Sequence, residues 1–172
     1  MTRNFSLAAV ALASAVLLSA CGGGGGDSDI VFENEDPEAS EQSGSVVVAG
    51  ADPAALNGVY ANDAVYLNAV EKVNPIGSDP ELCRYRFSRL DQAGTARSMT
   101  GDIRYQPGTP TVRVMFISIN DTEYTLNEPV GASVDRTNDE VDFAGARLTS
   151  RSGDVITLTG SIPMRDDRPE GC

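Results

Sequence analysis

Between residues 45 and 163, apolar and polar residues alternate in short runs broken by Gly, Asn, Asp and Pro, a rhythm that strands satisfy and long helices do not. Cys83, Tyr85 and Phe87 share one side of an extended chain and Arg84, Arg86 and Ser88 the other, as in a half-buried strand. Met99, Ile103 and Tyr105 repeat the device against Thr100, Asp102 and Arg104. Residues 46–48 and 64–73 are further strand candidates. Residues 111–119 are apolar on both faces in their second half, which predicts the most central strand. Asn120-Asp121 makes a tight turn into residues 123–127, where Tyr124 and Leu126 alternate with Glu123 and Thr125.

Val141 and Phe143 share a face, and so do Ala146 and Leu148, but the two pairs are out of phase. A bulge at Ala144-Gly145 brings them back to one side. Ser152-Gly153 is the next hairpin turn, and Ile156, Leu158 and Ile162 line the last strand. Ahead of the strands, residues 52–58 read as one helical turn with Asp52 as N-cap, Pro53 at the first helical position and Gly58 as the stop. The fold class expected is all-β. It is a small antiparallel meander of about seven or eight strands, a curled sheet or a barrel, with one short helical turn near its start.

The amino-terminal residues are of a different kind. Arg3 supplies a positive charge, residues 5–18 are apolar and uncharged, and Leu18-Ser19-Ala20-Cys21 follows. Fourteen residues reach roughly 21 Å as a helix, short of the roughly 30 Å hydrocarbon core, so the stretch reads as a signal segment and not as a membrane span. Leu18-Ser19-Ala20-Cys21 resembles the lipobox of bacterial lipoproteins. That resemblance implies a lipid on the Cys21 thiol, cleavage before it, and a protein whose attraction to the membrane comes from the lipid. Gly22, in place of an Asp after the lipidated Cys, implies outer-membrane sorting by the same resemblance.

The domain organisation follows: a lipoprotein signal peptide at 1–20, a tether at 21–44 and a single β domain at 45–172. Residues 22–26 are five glycines, and residues 27–41 carry seven acidic residues and no basic one, a composition that cannot offset ordering entropy. Ile30, Val31 and Phe32 form an apolar island in the tether. Removing 20 residues leaves 152, enough for one domain with a modest core. The full chain has 13 basic and 25 acidic residues, and without Arg3 the balance is 12 against 25, a net charge of -13. Such a surface repels nucleic acid and anionic membrane faces.

With Cys21 committed to lipid, Cys83 and Cys172 are the two cysteines that remain, and in an oxidising envelope they pair most simply with each other. A loop of about 90 residues gives a stabilisation of roughly 4.6 kcal/mol in the chain-entropy treatment.

The chain contains no histidine, which removes the usual general base, the commonest metal ligand and the physiological pH switch. No Gly-rich loop sits between a strand and a helix as a phosphate cradle does. Residues 135–142 form the densest oxygen cluster, but they lack the alternating acids and the Gly of a calcium loop and read as a polar turn at Asn138-Asp139. Arg84, Arg86, Arg104 and Arg113 fall on outward strand positions. They are expected to pair with Asp102, Asp91 and Glu123 or, alternatively, to form a cationic stripe for an anionic partner.

The function expected is that of a lipid-anchored envelope lipoprotein in a binding or structural role, at the outer membrane on its periplasmic side or at the cell surface. It needs no cofactor, metal or catalytic residue, and its partners are the membrane through Cys21 and an envelope protein. One alternative is a carboxylate-based hydrolase of cell-wall or glycan substrates. Another is a lipocalin-like carrier with Tyr85, Met99, Ile103 and Phe116 lining an apolar cavity.

Overall fold

The computed structural model describes residues 40–74 and 80–172. Cys21, the signal segment and the Ile30–Phe32 island lie outside the described residues. Ten strands follow one another: β1 (Ser40–Asp52), β2 (Gly58–Leu67), β3 (Glu71–Val73), β4 (Leu82–Gln92) and β5 (Ser98–Tyr105), then β6 (Val112–Ile119), β7 (Thr122–Leu126), β8 (Ala132–Asp135), β9 (Glu140–Ser150) and β10 (Val155–Pro163). All pairings are antiparallel, in the order β1-β2-β4-β5-β6-β7-β9-β10, and β10 returns to β1. The all-β meander is therefore a closed eight-stranded barrel. Closure leaves this ring without a free edge strand. β3 pairs with β4 where β2 has ended, and β8 pairs with β9 beyond the end of β7.

Alternation decides which side chains fill the interior. Cys83, Tyr85, Phe87, Met99, Ile103, Tyr105, Met115, Ile117, Leu148, Ile156 and Leu158 are all fully buried in one core cluster. In a barrel of this strand number the lumen is about wide enough for side chains to fill. Phe87 lies opposite Gly101, and a Cβ on Gly101 would come within 2.2 Å of its ring, so only glycine leaves room for it. The out-of-phase pairs of β9 are reconciled as expected. Leu158 pairs with Ala146 and Thr159 with Ala144, leaving Gly145 as the extra residue at φ +83°.

Three expectations change. β1 begins at Ser40, so residues 40–44, read as tether, are strand, because β2 offers them partners as far as Leu67. The helical turn is a 3-10 turn at Ala54–Leu56 whose N-cap is Pro53, without a side-chain cap, so Asp52 does not cap it. Phe116 faces outward, half-buried, with the Arg104 guanidinium 5.9 Å from its ring centre. It cannot line the lumen with Tyr85, Met99 and Ile103, and in a closed ring β6 is no more central than its neighbours.

Each end of the barrel carries a stopper. At one, Leu56 of the 3-10 turn joins the core and its carbonyl accepts a bond from the Tyr60 hydroxyl at 3.1 Å. Gln92 is buried beside it. Its Nε2 donates to Asn57 O at 2.9 Å, and its Oε1 accepts from Thr95 and Arg97, both at 3.1 Å. At the other end the segment after β10 brings Met164 and Cys172 into the core. Tyr85 donates to Pro163 O at 2.6 Å and Tyr105 to Cys172 O at 2.9 Å. Cys83 and Cys172 are disulfide-bonded, with Cα atoms 5.6 Å apart and 89 residues of separation.

Candidate functional site

The start of β1, the β8–β9 turn and the end of β10 meet on the outside of the barrel at its disulfide end. They enclose an open groove of about 500 Å³ lined by Gln42, Ser43, Ser45, Asn138, Asp139, Glu140, Ser161 and Asp166, with Gly44, Pro163 and Met164 supplying the rest of its wall. Strand register creates it. Ser45 lies opposite Ser161, Ser161 opposite Asp142, and Asp142 opposite Ser133, a row of hydroxyls and a carboxylate across four strands. Within the described residues, the side chains of Gln42, Ser43, Ser45, Glu140, Ser161 and Asp166 make no hydrogen bond or ion pair, so their polar atoms are uncommitted. Gln42, Ser43, Ser45 and Asp166 are exposed and Glu140 and Ser161 are half-buried, so a ligand in the groove would take the place of water on them.

The wall on the β8–β9 side is rigid for local reasons. The Asp135 carboxylate accepts the backbone N–H groups of Thr137 and Asn138 at 2.8 and 3.1 Å and the Asn138 side-chain amide at 2.8 Å. These bonds hold its pKa below the usual carboxylate range. Asp139, at φ +55°, completes the turn. Its carbonyl accepts Met164 N–H at 2.6 Å, and its carboxylate pairs with Arg168 at 2.5 Å. The expected polar turn at Asn138-Asp139 is thus present, with Asp135 as its organiser.

Register also assembles something that linear spacing hides. Asp135 lies opposite Glu140, and Asp142 is two residues further on the same face. The carboxylate oxygens of the three lie within 4.8 Å of one another. Asp142 is pushed up by partial burial and then by the negative charges of Glu140 and Asp135. Three half-buried carboxylates could contribute oxygens to a hard cation, but calcium takes six to eight. The sequence signal was there in the pairing of a strand end with a strand start across a four-residue turn.

The four outward arginines lie elsewhere on the barrel. Arg84 is bonded through Nε and Nη2 to Asp102 Oδ2 at 2.9 and 2.6 Å, and through Nη1 to Glu71 at 3.2 Å. Arg104 reaches both oxygens of Asp102, each at 3.3 Å, and Arg86 lies 3.8 Å from Glu71. Asp102 is 0% exposed although it points outward, because these side chains cover it. The expected pairing with Asp102 is present. Asp91 instead accepts from Asn62, Glu71 takes a place the sequence reading did not give it, and no ion pair joins Glu123 to the arginines.

The chain matches no family model, no curated protein and no solved structure. Function therefore rests on the geometry.

Proposed function

We propose that this protein is a lipid-anchored lipoprotein of the bacterial outer membrane whose barrel is a non-catalytic binding module, and that it binds on its outer surface, through the groove, and not in its lumen. The observation that carries the reading is the contrast between a lumen filled by its own side chains and an outer groove with six uncommitted polar side chains. The groove offers hydroxyl, amide and carboxylate oxygens and no aromatic platform, which suits a ligand rich in hydroxyl or ammonium donors. The anchor supports an envelope location: residues 21–39 span at most about 65 Å, which keeps the barrel near the membrane that holds Cys21.

Two measurements test it. In cells given labelled palmitate, the wild type should incorporate label and Cys21→Ala should not, and equal labelling removes the anchor. Ser161→Trp should fill the groove and abolish binding of cell-wall glycan fragments or polyamines while leaving the melting temperature unchanged. Unchanged binding would remove the groove from the function.

A second reading, a carboxylate-based hydrolase, is favoured by one observation: Glu140 lines the groove and stands beside Asp142, whose acidity is weakened by burial and by neighbouring charge. Wild-type turnover of a cell-wall glycan, lost in Glu140→Gln, would establish it. No turnover by the wild type would dismiss it.

A further inference from the structure

We infer that the outer face of β4, β5 and β6 is a docking surface for this chain's own acidic segment at residues 33–38. The surface carries Arg84, Arg86, Arg104 and Arg113 around the buried Asp102, with Glu71 at its edge. Four cations against two anions leave it at +2 on a chain whose net charge is -12. The cations are not equally occupied. Arg84 and Arg104 are held against Asp102, whereas Arg86 has only Glu71 at 3.8 Å. Arg113 stands at the register shift of β6, exposed and without an ion pair among the described residues. Asp102 therefore fixes the orientation of two guanidinium groups and leaves two more available to an outside carboxylate.

The occupant is indicated by where the described chain begins. Ser40 lies opposite Leu67 and Leu67 opposite Phe87, and the next outward residue on β4 is Arg86. With strands about 4.8 Å apart, Ser40 is roughly 10 Å from the β4 backbone. The Asn68 N–H donates to Arg86 O, so the row just beyond Ser40 leads to Arg86. Since β1 and β4 both run antiparallel to β2, β1 and β4 run in the same direction, and the start of β1 lies at the Arg84 and Arg86 end of β4. Residues 33–39 span at most about 25 Å, which reaches the whole patch. That stretch contains Glu33, Glu35, Asp36 and Glu38 and no base. The first acid within the fold already behaves this way: Glu41 pairs with Arg89 at 2.9 Å. A linked segment presents its carboxylates at a high effective concentration, so it outcompetes dilute external anions for the same guanidinium groups.

The test uses the mature chain and the arginine side-chain Nε–Hε resonances, comparing wild type with Glu33→Gln, Glu35→Gln, Asp36→Asn and Glu38→Gln combined. At about 10 mM salt, where the screening length is about 30 Å, neutralising the segment should shift the Arg86 and Arg113 resonances and leave that of Arg151, in the β9–β10 turn, unmoved. At about 1 M salt, where the length is about 3 Å, the two chains should coincide. Inorganic phosphate should bind the neutralised chain several-fold more tightly than the wild type. Reciprocally, Arg86→Gln with Arg113→Gln should move the Glu35 and Glu38 amide resonances as high salt does. Three outcomes overturn the inference: Arg86 and Arg113 unmoved at low salt, Arg151 moving equally with them, or phosphate binding both chains alike, which would assign the patch to an external anion.

Discussion

The two ends of this barrel are closed by the same device and secured differently. At each, a buried tyrosine hydroxyl donates to a carbonyl of the stopper: Tyr60 to Leu56 at one and Tyr105 to Cys172 at the other, where Tyr85 also donates to Pro163 at the end of β10. The first stopper is a short turn between adjacent strands, and hydrogen bonds centred on Gln92 suffice to hold it. The second is residues 164–172, which come after β10 and lie between no two strands among the described residues. There the disulfide ties the segment directly to β4 at Cys83. Closing a long loop is entropically expensive and closing a short one is not, so a covalent tie belongs where the loop is long.

The largest break in this comparison should come from Cys83→Ser with Cys172→Ser. Equilibrium denaturation should show a loss of about 4 kcal/mol. Hydrogen exchange should accelerate at Tyr105 and Val112 and stay slow at Tyr60. Uniform acceleration would mean that the ends are not separate units. Next, Gln92→Ala leaves the Asn57 and Ala55 carbonyls and the Arg97 guanidinium without the Gln92 side chain, and should cost about 2 kcal/mol, with exchange rising only at the turn end. Tyr105→Phe and Tyr60→Phe should each cost about 1 kcal/mol, and a difference between them would measure how far the disulfide already holds Cys172 in place.

The tyrosines also give the ends a pH dependence. Burial pushes Tyr105 up to about 12, and it raises Tyr85 and Tyr60 above the ordinary tyrosine value as well. The folded state therefore binds these protons more tightly than the unfolded chain. The stability they contribute is complete below about pH 10 and is lost as pH rises toward about 12 at Tyr105. Tyr105→Phe should flatten that alkaline limb in a pH series of melting temperatures. The smallest effect is expected at Asp135, whose carboxylate is held below its usual range by turn N–H groups. Its contribution is present above the unfolded value and lost as pH falls through the lower folded one, so Asp135→Asn should remove a slight acid-side slope.

Local chemistry was legible. The alternation of Cys83, Tyr85 and Phe87, the turn at Asn120-Asp121 and the Gly145 bulge all depend on residues a few positions apart, and each is where the sequence placed it. The Cys83–Cys172 pair was legible for another reason: the expectation that Cys21 carries a lipid left two of the three cysteines and a single intramolecular pairing. Residues 40–44 were not, since a polar run becomes strand only when β2 supplies its hydrogen bonds. Phe116 was not, since an outward aromatic is stable only under a cover such as Arg104.

By itself, then, the sequence determined most of the strands, most of their inward faces and most of their turns, because these follow from period-two alternation and short-range backbone chemistry. Only the tertiary structure decided that β10 returns to β1, that Asp102 is buried beneath arginines, and that Asp135, Glu140 and Asp142 share a face beside a polar groove. Pairing between first and last strands has no connecting turn to announce it, and side chains from distant strands become neighbours only once the register of the closed ring is set.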